Sequence, residues 1–97
     1  GERERNRGYP IAVVTGGYRD VLIPPLKGAG IAELFDTIVT ADDVVHSKPA
    51  PDVYATAMAR LGVEPSQCVA YEDSTQGIES ARAAGIGTVV DVRWHDA

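Results

Sequence analysis

The stretch CVAYEDSTQGIESARAAGIGTVVDV, residues 68–92, decides the fold. CVAYED (68–73) is a short apolar run that ends in two acids. STQGIESARAAG (74–85) opens on a serine suited to an N-cap and stops at a glycine, as a helix does. GTVVDV (87–92) is β-branched and apolar again. Neither run alternates strictly between apolar and polar, so the sequence predicts strands of a sheet buried on both faces.

The same pattern runs upstream. YPIAVVT (9–15) reads as a strand that ends at glycines, and DTIVTADD (36–43) as a strand that ends in two acids. Between them, YRDVLIPPLKGAG (18–30) has helical spacing through Val21, Leu22 and Leu26. Its prolines, Pro24 and Pro25, each remove a backbone donor, so a kink or restart is expected there. IAELF is one helical turn. PDVYATAMARLG (51–62) opens on a proline–aspartate pair, lines up Tyr54, Met58 and Leu61 on one face, and stops at Gly62. That stripe reads as core packing. Strands alternate with helices four times. The expected fold class is therefore α/β, a Rossmann-like parallel sheet of the doubly wound kind with flanking helices.

Composition narrows the function. The chain has 97 residues, 44% hydrophobic and 24% charged, which suits one small globular domain or a piece of a larger one. Its net charge of −5 argues against nucleic-acid binding. The one basic cluster, RERNR at 3–7, is interleaved with Glu2 and Glu4 and reads as a solvated end. The single cysteine, Cys68, permits no intrachain disulfide and lies in an apolar run, which fits a buried structural thiol. No apolar run nears the ~18 residues that span a bilayer, and no signal-peptide pattern appears. A cytoplasmic protein with no membrane partner is the expectation.

In such a sheet, ligands bind beyond the carboxyl ends of the strands. Three polar elements fall there. Thr15 follows the first strand and precedes Gly16 and Gly17. Lys48, framed by prolines in SKPAPD (47–52), follows the second. Glu72 and Asp73 end the third. A hydroxyl and glycine amides suit phosphate oxygens, and a lysine supplies a fixed point charge. Adjacent carboxylates suit Mg²⁺, a hard cation that often bridges to phosphate. Each element alone also fits a plainer role: a turn, a solvated lysine, an N-cap. Asp42 and Asp43 form a rival acidic pair, and His46 reads as peripheral. The order and strand-end placement of the three elements are what single them out.

That order resembles the haloacid dehalogenase superfamily, over roughly residues 9–93. Thr15 matches the second motif, which bonds the transferring phosphoryl group. Lys48, in KPAPD, matches the third, the lysine that balances charge on nucleophile and phosphate. Glu72 and Asp73, in EDSTQGIESARAAG, match the fourth, which holds Mg²⁺. The stretch is most similar to the β-phosphoglucomutase-like branch and, within it, to fructose-1-phosphate phosphatase-like members.

One element of the family pattern is missing. The sequence contains no Asp-x-Asp, the motif that ends the family's first, central strand and carries its nucleophile. The resemblance therefore implies that residues 1–97 are a single partial core domain, motifs two to four, without the central strand and without the helical cap. It implies a Mg²⁺-dependent phosphatase of small phosphomonoesters, sugar phosphates foremost, whose nucleophile lies outside this chain, so that the chain alone is inactive. Thr15 and Lys48 would be catalytic, and Thr15, Gly16 and Lys48 would bind substrate. Asp73 and Glu72 would hold the metal, with Ser74 capping the next helix. A phosphomutase, or a non-catalytic phosphate-binding fragment, fits the same residues. The expected partners are a small phosphorylated metabolite, and either a second copy of the chain or the missing N-terminal segment.

Overall fold

The computed structural model describes residues 9–92; the basic cluster at 3–7 lies outside them. Four short strands alternate with three helices. In chain order these are β1 (Ala12–Val14), α1 (Arg19–Gly28), β2 (Thr37–Val39), α2 (Asp52–Leu61), β3 (Val69–Glu72), α3 (Thr75–Ala83) and β4 (Thr88–Asp91). Single 3₁₀ turns at Ala32–Leu34, Ala41–Asp43 and Pro65–Gln67 fill the connections. The α/β class and the parallel pairing follow the expectation.

The helix ends have visible causes. Ser74 caps α3 by accepting the Gly77 N–H at 3.0 Å. Gly62 ends α2 in the left-handed region, at φ 68°, and donates back to the Met58 carbonyl at 2.8 Å. The expected kink in α1 does not appear as a break, because one helix runs through Pro24 and Pro25. The carbonyls that lose their donors belong to Asp20 and Val21, which are exposed, so water can serve them. No residue of α1 is fully buried, though Leu22, Ile23 and Leu26 are half-buried, and its start is fixed by a hydrogen bond: the Arg19 N–H donates to Asp42 Oδ2 at 2.6 Å.

The strands do not form one sheet. β1 pairs with β2, in register from Ala12 opposite Thr37 to Val14 opposite Val39. β3 pairs with β4, from Val69 opposite Thr88 to Glu72 opposite Asp91. No described strand joins the two pairs. Helix α2 lies on the first pair and α3 on the second, and the two helices touch. Their buried residues, Val53, Tyr54, Ala57, Met58 and Ala81, form one core with Val39, Ala70 and Ile86. Each large apolar side chain buried there contributes roughly 1.5–3 kcal/mol. The helices, not the strands, therefore hold the halves together.

The expectation of a sheet buried on both faces is corrected here. Along β3, Ala70 and Glu72 point into the core, while Val69 is 54% and Tyr71 68% exposed. No described helix covers that second face: α1 buries none of its residues. A short apolar run cannot report which of its faces finds a cover.

Beyond β2, Asp43 organises the turn. Its Oδ2 accepts the Thr40 N–H at 2.8 Å and Arg19 Nη2 at 2.7 Å, and Arg60 Nη2 lies 3.4 Å from Oδ1. The Thr40 backbone bond is the largest of the effects that lower its carboxyl from 3.8 to about 2; partial burial opposes it, and Arg19 adds to it. A carboxylate whose pKa is depressed on folding stabilises the fold above the unfolded value, and that contribution fades as pH falls toward the folded value. In the full-length protein, Asp43→Asn should cost on the order of 1 kcal/mol at neutral pH, since both arginines are substantially exposed. The gap to the parent should close between about pH 4 and pH 2. Chemical denaturation across that range measures it. A gap that persists to the acid end would assign the cost to lost packing instead.

Candidate phosphate and metal site

The carboxyl ends of β1 and β3 meet at Lys48. Its Nζ donates to Glu72 Oε2 at 2.8 Å and lies 3.4 Å from the Val14 carbonyl oxygen, on the last residue of β1. One ammonium thus spans the gap between the two strand pairs. The loop that carries it is held from several sides. The Lys48–Pro49 peptide is cis. The Ala50 N–H turns back to the Ser47 carbonyl at 3.0 Å, and Ser80 Oγ, fully buried on α3, donates to the Ala50 carbonyl at 2.6 Å. The proline frame of SKPAPD is therefore pinned by a neighbouring helix as well as by its own ring geometry.

Glu72 is the inner carboxylate. It is only 5% exposed and Lys48 only 14%, so the pair lies in a low-dielectric setting where an unpaired charge would be costly. Tyr54 Oη, buried on α2, donates a short hydrogen bond to the same Oε2. Burial first, and then the Glu72 bond and charge, raise the Tyr54 hydroxyl far above its usual range, so it stays protonated as a donor. The Lys48 ammonium also sits 5.7 Å from the Tyr54 ring centroid, within reach of the ring face. On the other side of the carboxylate stands Gly77. A Cβ there would fall 1.8 Å from Glu72 Oε1, a distance no side chain could occupy without displacing it.

The structure brings Thr15, Lys48, Glu72 and Asp73 to one cleft of about 870 Å³ between β1 and β3. Thr15 Oγ1 accepts the Gly17 N–H at 3.0 Å, which leaves its own proton available to donate. Gly16 is exposed, with open space where a side chain would stand. Asp73 is exposed at the end of β3. Among the described residues, no three His, Cys, Asp or Glu side chains converge as a metal-binding group. The donors nonetheless fit part of a Mg²⁺ shell. That ion takes one or two protein carboxylates and completes its shell with water and phosphate oxygen, which exposed Asp73 fits, while the buried Glu72 already accepts from Lys48 and Tyr54 on Oε2.

Asp42 is spent on the Arg19 amide, and Asp43 on Thr40 and two arginines. His46 is exposed, with Nδ1 4.0 Å from Asp52 Oδ2. Cys68 is only half-buried, where a buried thiol was expected, because it lines the cleft between the strand pairs; desolvation raises its thiol, and its Sγ donates to the Glu64 carbonyl at 3.3 Å. Sequence reasoning missed the part played by Tyr54 and Gly77. Periodicity placed Tyr54 in the core stripe and carried no signal about where its oxygen ends.

Residues 3–90 match the family described as haloacid dehalogenase-like hydrolase. Validoxylamine A 7'-phosphate phosphatase of Streptomyces hygroscopicus subsp. limoneus is 46% identical over 88 residues, which are 91% of this chain and 41% of that protein. Fructose-1-phosphate phosphatase YqaB of Escherichia coli is 46% identical over 84 residues, 87% of this chain and 44% of that one. Among solved structures, CbbY from Rhodobacter sphaeroides in complex with phosphate superposes with a TM-score of 0.81 at 32% identity, over 99% of this chain and 45% of its own. The HAD phosphatase from Thermococcus onnurineus gives 0.82 at 33% identity, over 99% and 46%. The chain thus spans less than half the length of these relatives.

Proposed function

Since the chain belongs to the haloacid dehalogenase-like hydrolase family, we propose that it supplies the phosphate- and metal-binding rim of a Mg²⁺-dependent phosphatase acting on small phosphomonoesters, sugar phosphates foremost. The observation that carries this is the Lys48 ammonium, bonded at once to the ends of β1 and β3. A part-buried cation fixed where two strand ends converge is a preorganised partner for a dianion. That the relatives above include phosphatases of sugar-like phosphates supports the same substrate class. Asp73 would hold Mg²⁺, with Glu72 second, directly or through water; the metal would neutralise charge on the phosphoryl group. Thr15 would donate its hydroxyl, and Gly16 its amide, to phosphoryl oxygens. Lys48 would offset the charge between phosphate and nucleophile.

The nucleophile is no residue of this chain in this reading. A family-type aspartate, on a strand seated between β1 and β3, would attack phosphorus as the ester P–O bond breaks and the alcohol leaves, protonated by an acid also outside this chain; water would then cleave the aspartyl-phosphate to inorganic phosphate and the free carboxylate. Residues 1–97 would be one partial core domain of a cytoplasmic enzyme. No described helix is long and apolar enough to cross a membrane.

The test is a metal titration in the full-length protein. Asp73→Asn should raise the Mg²⁺ concentration for half-maximal hydrolysis of an aryl phosphate by roughly 10-fold or more. Asp42→Asn should leave it within a few-fold, because Asp42 serves the α1 amide. An equal or larger effect at Asp42 would reverse the assignment.

A further inference from the structure

The buried polar cluster behind the rim contains two residues that the proposed chemistry does not use, Tyr54 and Gly77. Both act on Glu72. Tyr54 Oη and Lys48 Nζ donate to one oxygen, Oε2. The bare Cα of Gly77 faces the other, Oε1, with no room for a methyl group. The Gly77 backbone is helical, and its N–H is taken by Ser74, so nothing in its own conformation demands glycine. The space belongs to the carboxylate. Beyond Glu72, Lys48 meets only the Val14 carbonyl, at a longer 3.4 Å, and the Tyr54 ring face among the described residues.

We propose that Tyr54 and Gly77 are positioning residues: together they fix the rotation of the Glu72 carboxylate, and through it the place of the Lys48 ammonium at the strand ends. Tyr54 lines the cleft but directs its hydroxyl to Glu72, and Gly77 does not line it. This rests on the phosphatase reading for its effect on turnover, but not for its effect on Lys48. Without the Tyr54 hydroxyl, Oε2 keeps one donor and the carboxylate can swing. With a methyl at residue 77, Oε1 must move, and Lys48 must follow or part from it.

The experiment uses the full-length protein and the variants Tyr54→Phe, Gly77→Ala and Lys48→Ala. The first readout is the proton–nitrogen correlation of the Lys48 ammonium, identified by its loss in Lys48→Ala. A held, shielded ammonium exchanges slowly and is visible in the parent. The second is steady-state hydrolysis of p-nitrophenyl phosphate. Tyr54→Phe should shift and broaden the ammonium signal and lower kcat about 10-fold, with KM within ~3-fold, as for removal of an orienting outer partner. Gly77→Ala should do both more strongly, near 100-fold in kcat. If Gly77→Ala does not fold, Tyr54→Phe, which deletes one oxygen, decides alone.

An ammonium signal absent from the parent, or unmoved in Tyr54→Phe, overturns the proposal. So does an active parent whose Tyr54→Phe variant keeps its kcat or changes only KM. A Gly77→Ala protein that is merely more stable, with an unchanged signal, overturns the Gly77 half. If the signal moves but the parent hydrolyses nothing, the positioning of Lys48 stands and the phosphatase reading falls.

Discussion

Lys48→Ala in the full-length protein is expected to lower kcat by ~100-fold or more, the usual consequence of removing one preorganised electrostatic partner. The cation is placed before any ligand arrives, by Glu72, the Val14 carbonyl and a loop tied down through Ser80. It therefore needs no reorganisation when charge develops beside it, which is where such groups gain most over water. The substitution has a second effect that must be kept apart from the first. It leaves the Glu72 carboxylate, 5% exposed, to the Tyr54 hydroxyl, and breaking a buried pair from one side costs about 3–5 kcal/mol. Rates must therefore be taken well below the variant's own unfolding temperature. Pairing Lys48→Ala with Glu72→Gln separates the two effects: the double variant should recover stability, because no bare charge is left, but not kcat. Kinetics within a few-fold of the parent in a folded single variant would reduce Lys48 to a structural ion pair.

How much of the fold was legible in the sequence depends on which atoms each residue type commits. The strand–helix alternation was legible because apolar period and capping residues act locally, and Ser74, Gly62 and the strand-end acids sit where those local rules put them. Thr15, Lys48, Glu72 and Asp73 were legible as a set because the ends of parallel strands gather at one rim. What stayed hidden was non-local. The Tyr54 stripe marks a buried face, but a phenol buries its ring and satisfies its oxygen separately, and only the fold reveals Glu72 as that partner. Gly77 carries no signal of its own in the sequence, since the group that needs its space is five residues back on another element. Asp42 and Asp43 stood as a rival acidic pair because acids at a strand end look alike until the arginines of α1 and α2 are placed beside them. The uncovered face of β3 was hidden for a related reason. Short apolar runs report that a strand is buried somewhere, and Tyr71 and Val69 carry no mark of which neighbour does the burying.

The other large effect concerns the cleft itself. Among the described residues, β1 and β3 each keep one unpaired edge, and residues of both strands line the same cleft, together with Tyr54, Met58 and Lys48. Parallel strands are rarely left with bare apolar edges, because the unpaired backbone and the side chains beside it invite association. The core that joins the two halves is small, with Val39 and Val53 its largest fully buried apolar side chains. The 97-residue chain alone is therefore expected to unfold at low temperature with weak cooperativity, or to self-associate, and to show no phosphatase activity. A separately supplied segment that carries an apolar strand ending in Asp-x-Asp should bind the cleft. At a concentration 100-fold above its Kd, linkage gives about 2.7 kcal/mol of added stability, a Tm rise on the order of 10–20 °C for a domain of this size. If the segment also brings the helices that complete the active site, hydrolysis should appear with it. A scrambled strand of the same composition should do neither. Size-exclusion chromatography and thermal unfolding, with and without the segment, decide the matter. A monomer that melts cooperatively at high temperature and is indifferent to the segment would mean the cleft needs no fifth strand. Hydrolysis of an aryl phosphate by that monomer, abolished by Asp73→Asn, would place the nucleophile inside this chain after all.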